Sequence, residues 1–142
     1  MEDGFAKVYK KKKKGDLTVS TLSLREAIDA DDVDTLGLLI DEARAKKVKH
    51  SCAKLLLEAF YWGSVRCFDY LLERVKDGAV KIDKRYFISR IMRAKETKVC
   101  AMLPKMVPKI ERSEEARDAL VFLGDVFPST RSHIEYWTES FL

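Results

Sequence analysis

From Leu17 to the C-terminus, apolar residues recur at intervals of three and four, and strict alternation of apolar and polar positions is nearly absent. That rhythm predicts helices rather than strands. A first helix is expected from the capping pattern Ser23-Leu24-Arg25-Glu26, followed by Leu24, Ala27 and Ile28 at helical spacing. Asp31 and Asp32 interrupt it and supply a cap for a second helix carrying Val33, Leu36, Leu39, Ile40 and Ala43. Ser51 opens a third helix through Leu55, Leu56, Ala59 and Phe60, which Gly63-Ser64 breaks. Val65, Phe68, Leu71 and Leu72 mark a fourth, and Asp77-Gly78 a turn. Asp83 caps a fifth with Phe87, Ile88, Ile91 and Met92; a sixth carries Val99, Cys100 and Leu103, with Pro104 and Pro108 disturbing its end. Ser113 starts a seventh with Ala116, Ala119, Leu120 and Leu123, stopped near Gly124, and Ser129 or Thr130 caps an eighth through Ile134, Trp137 and Phe141.

Eight helices in pairs invite a search for a period, and one appears at 32 residues. Leu24, Leu56 and Ile88 align, as do Ala27, Ala59 and Ile91, and Ile28, Phe60 and Met92. The second helices keep step: Val33, Val65 and Thr97; Leu36, Phe68 and Cys100; Leu39, Leu71 and Leu103. A fourth unit fits in its first helix and then loses register, as terminal repeats often do. A single helix pair cannot bury its apolar face alone, whereas stacked pairs shield one another. The fold expected is therefore all-α: a short stacked helix-pair solenoid over residues 17–142, with units at about 20–50, 51–83, 84–112 and 113–142.

The run Leu56-Leu57-Glu58-Ala59-Phe60-Tyr61-Trp62-Gly63 resembles the first helix of an ankyrin repeat, with its small residue and closing glycine. Val65, Phe68, Leu71 and Leu72 stand where that family's second helix has core residues, and Asp77-Gly78-Ala79-Val80-Lys81-Ile82-Asp83 is similar to its glycine-alanine turn and finger. The first unit follows the same pattern with Asp31 in the glycine's place. No unit carries the family's Thr-Pro-Leu-His opening, and the third has Ile91 for the small residue and Lys95 for the glycine. The period alone also fits other stacked-helix solenoids. The resemblance implies a protein-binding module that contacts its partner through finger tips and inner-helix positions before the glycine. Those positions are Asp29 and Ala30, Tyr61 and Trp62, and Arg93 and Ala94. Tyr and Trp are enriched at binding hot spots, so Tyr61-Trp62 is the expected anchor, with packing against a neighbouring helix the competing role.

Charge is divided unevenly. Residues 1–16 hold six lysines against three acids, while the remainder carries 21 basic and 20 acidic side chains. These first residues read as a basic, flexible arm ahead of a nearly neutral body. The run Lys10, Lys11, Lys12, Lys13 and Lys14 fits a nuclear import signal, a phosphate or acidic-lipid contact, or a solubilising arm. It underlies the alternative function, contact with nucleic acid or an acidic membrane. No leader peptide, myristoylation glycine or membrane span is expected. Cys52, Cys67 and Cys100 are an odd set without a disulfide pattern, which points to the cytosol or nucleus. With His50 and His133 they are too scattered for a zinc site, and no phosphate-binding glycine loop occurs, so no cofactor, metal or catalytic set is assigned. Asp29, Asp31, Asp32 and Asp34 lack the spacing of a calcium loop and suit a helix-capping turn. Cys67 and Cys100 read as small core residues.

Overall fold

A computed structural model describes residues 20–141, and residues 1–16, with the lysine run, lie outside them. The described chain is all-helical. Its α-helices are α1 (Thr21–Asp29), α2 (Val33–Ala45), α3 (Cys52–Trp62), α4 (Val65–Leu72), α5 (Lys84–Ile91), α6 (Glu96–Met106), α7 (Glu114–Val126) and α8 (Arg131–Phe141). Short 3₁₀ turns at Val107–Lys109 and Pro128–Thr130 follow α6 and precede α8.

The caps explain most of the starts. Side-chain oxygens of Asp32, Ser51, Asp83 and Ser113 accept from the backbone N–H three residues on, at 3.0–3.3 Å. The first helix differs from the sequence expectation. Its cap is Ser20: the Ser20 hydroxyl accepts from the Ser23 N–H at 3.1 Å, and the Ser23 hydroxyl accepts from the Ser20 N–H at 2.9 Å. Ser23 is thus the far side of a reciprocal box rather than the cap, a hydroxyl doing what a carboxylate usually does.

The helices form two rows. α1 packs on α3, α3 meets α5 through stacked rings, and α5 packs on α7. In the second row α2 packs on α4 and α4 on α6. Within units, α1 packs on α2, α3 on α4, and α7 on α8. This is a stack of helix pairs around one continuous core, not a closed bundle.

The repeat columns hold where the units are regular. Ala27, Ala59 and Ile91 are all fully buried, and so are Leu39, Leu71 and Leu103. A column absent from the sequence reading, Thr35, Cys67 and Val99, is buried too. The third unit breaks the others. Phe87 and Ile91 face the core, Ile88 is half-buried, and Met92 is 63% exposed. The helix α5 ends at Ile91, so Met92 has left its face, and Phe87, four residues after the cap, fills the space beside Phe60.

Two further departures concern glycine and the linkers. Gly124 does not stop α7 but lies buried within it. A Cβ there would meet Arg131 at 3.3 Å and Ile134 at 3.4 Å, so its bareness lets α8 approach. The segment after Asp77-Gly78 does not fold on itself. Val80 bridges Ile110 of the next linker in parallel, with Val80 N–H donating to Lys109 O at 2.8 Å and Glu111 N–H to Val80 O at 2.7 Å.

Candidate functional site

The row of first helices carries the most distinctive surface. Glu58 sits in an otherwise apolar run of α3, and its side chain is only 12% exposed. A carboxylate so placed needs partners. Arg25 of α1 provides one, its Nη2 3.2 Å from Glu58 Oε1. Tyr86 of α5 provides the other, its hydroxyl donating to Glu58 Oε2 at 3.0 Å and accepting from Arg25 at 3.4 Å. Three units are thereby joined by one polar triad. Partial burial, then the hydrogen bond and charge of Glu58, raise the Tyr86 phenol above its usual range.

Beside the triad stands an aromatic cluster. The Tyr61 ring meets Tyr86 and Phe87 edge-on, each at 5.7 Å between centroids. The Arg90 guanidinium lies 4.8 Å from the Trp62 ring centre and farther from the rings of Tyr86 (5.9 Å) and Tyr61 (6.0 Å). Trp62 and Tyr86 remain open to solvent, 49% and 40% exposed. Next to them an open cavity of about 450 Å³ is floored by Leu55, Leu57 and Tyr61 and edged by Arg25, Lys54, Lys81 and Asp83.

The expected anchor pair therefore divides. Trp62 faces solvent, whereas Tyr61 is 5% exposed and belongs to the core, where burial and the nearby Glu58 charge push its phenol far up. Neighbours on a helix point about 100° apart, so two adjacent aromatics seldom share a role. Asp29, Ala30 and Arg93 are exposed at the ends of α1 and α5, and Ala94 is half-buried against the core. No hydrogen bond, ion pair or ring contact among the described residues joins these four to Trp62. Arg25, Glu58, Tyr86 and Arg90 escaped the sequence reading. The signal that would have found two of them is the 32-residue column Glu26, Glu58 and Arg90, charged in every unit.

The acidic turn after α1 is structural. Asp31 adopts a left-handed backbone (φ 51°) and accepts from the N–H groups of Cys67 at 2.9 Å and Arg66 at 3.3 Å, capping α4 of the next unit. Burial, then the Asp31 carboxylate, push the Cys67 thiol up to about 12. Cys100 is not a core residue: it is half-buried and its sulfur lies 2.9 Å from the Ser129 hydroxyl, which donates to Glu96 at 2.8 Å. Among the described residues no cluster of three His, Cys, Asp or Glu could hold a metal ion, and no helix is long and apolar enough to cross a membrane.

No protein-family model, curated protein or solved structure matches the chain.

Proposed function

We propose that this chain is a non-catalytic protein-binding module of the ankyrin kind, and that it engages its partner through the Trp62–Tyr86–Arg90 surface. The observation that carries the reading is the exposure of two large aromatics, flanking one arginine, on a row of helices whose positions the core holds rigid. Such pre-ordered aromatic and arginine groups are what binding hot spots are made of. The ankyrin reading draws support from the left-handed turns at Asp31 and Gly63 (φ 70°), which join the helices of successive units 32 residues apart. The three cysteines are free thiols, in keeping with action in the cytosol or nucleus.

Site-specific photocrosslinking tests the surface. A photoreactive phenylalanine analogue in place of Trp62 is expected to form discrete adducts with protein in a native lysate. The same group in place of Lys105, exposed on α6 of the second row, is expected to form none. Equal adducts from both positions, or none from position 62, would count against the proposed surface.

A further inference from the structure

Resting on that reading, we infer that the partner segment is acidic and carries an apolar anchor. The cavity beside Tyr86 has an aliphatic and aromatic floor, which asks for a nonpolar side chain. Its charged edge is unbalanced. Both carboxylates on it are already engaged, Glu58 by Arg25 and Tyr86, and Asp83 by the Tyr86 N–H at 3.3 Å. Of the cations only Arg25 is paired. Lys54 and Lys81 make no ion pair, and Arg90, beyond the cavity edge, faces ring surfaces but no carboxylate, among the described residues.

The imbalance continues past Leu55 and Lys54. There a second hollow of about 500 Å³ is lined by Lys49 and His50 as well. The two hollows share Leu55 and Lys54, so an extended peptide laid along them would bury one or two apolar side chains between basic flanks. Carboxylates from the partner would supply the missing counter-charges and orient the chain. Nucleic acid suits the surface less well. The floor between the cations is largely aliphatic, Leu55 and Leu57 with the buried Tyr61 ring, and the Arg90 guanidinium already lies against the rings of Trp62 and Tyr86 on which bases would stack.

Selection from a displayed library of random short peptides on the full chain tests this. Recovered peptides are expected to be rich in Asp and Glu around a Leu, Phe or Trp. Their affinity is expected to fall by about tenfold in the Lys54→Glu/Lys81→Glu variant and to weaken with added salt. The variant should fold at least as well as the parent, because glutamate at position 54, third in α3, reaches back toward the Ser51 cap. Thermal melting checks that. Peptides that are neutral or basic, or acidic peptides that bind the variant unchanged, would overturn the acidic assignment while leaving protein binding intact. Displacement of the peptides by a short DNA strand at similar concentration would transfer the site to nucleic acid and overturn it too. Failure to recover any peptide above background would defeat the binding reading together with the inference.

Discussion

The joint between the first and second units and the joint between the second and third bring corresponding helices together, but with different closeness and different chemistry. The first is polar. Asp31 caps α4, the Ser64 hydroxyl donates to the Ile28 carbonyl, and the Cys67 thiol points at the Ala27 carbonyl at 3.9 Å. The second is aromatic. Phe60 stacks on Phe87 at 6.4 Å, and Tyr61 meets Phe87 and Tyr86 edge-on. One position explains much of the contrast. Both turns need a left-handed residue; Asp31 supplies that shape and a carboxylate, while Gly63 supplies the shape alone. Across the second joint the polar links lie toward the surface, Lys98 to the Gly63 carbonyl at 3.3 Å, Lys105 to Asp69 at 3.2 Å and the Tyr86 hydroxyl to Glu58 at 3.0 Å, while the buried centre is ring against ring. The repeat period dictates where helices go but not what fastens them.

Four measurements would sharpen or break this contrast. Phe60→Ala empties the centre of the aromatic joint, and a loss of about 3–5 kcal/mol in denaturant unfolding is expected. A loss under about 1 kcal/mol would show that the rings are not what fastens it. Asp31→Ala removes the caps of α4 and leaves a left-handed turn on a residue that resists it, for about 2 kcal/mol. Asp31→Gly, which keeps the turn and loses only the carboxylate, should cost about half as much. Equal losses would mean that the carboxylate alone matters.

The polar joint should also be the alkali-sensitive one. The Cys67 thiol titrates from 9.0 up to about 12 on folding, so its neutral form is favoured in the native state. Its contribution is complete below pH 9.0 and declines as pH rises toward 12, because the unfolded thiol ionises first. The decline approaches about 1.4 kcal/mol per pH unit, and Cys67→Ala should flatten that part of the stability profile relative to the parent. Identical alkaline slopes for the two proteins would remove Cys67 from the account. The smallest effect is at the rim of the aromatic joint. Arg25 is 46% exposed, so solvent screens its bond to Glu58, and Arg25→Gln should cost about 1 kcal/mol or less. Tyr86→Phe should cost a similar amount, and the double variant less than the sum, since both act on one carboxylate.

What the sequence disclosed depended on reach. Caps at Asp32, Ser51, Asp83 and Ser113 rest on contacts spanning three residues, and all four were legible. The fold class was legible as well, because apolar spacing is set by helix geometry. Gly124 misled because a buried glycine and a terminal one look alike until the neighbouring helix is placed. Met92 misled because a one-residue shift in which side chains face inward costs a column without changing composition. The surface was the least legible part. Its triad joins residues 33 and 28 positions apart, and only the stacking of three helices brings them together.

The pairing of Val80 with the linker after α6 makes the third unit a lariat. Residues 84–106 form a loop of chain clasped at its base by three backbone bonds, from Gly78 N–H to Pro108 O, Val80 N–H to Lys109 O and Glu111 N–H to Val80 O, beside the almost wholly covered Val80 and Ile110. Such a loop cannot peel away helix by helix. Deuterium uptake at the Val80 and Glu111 amides should be slow for residues outside any helix, and should quicken only when α5 and α6 open together.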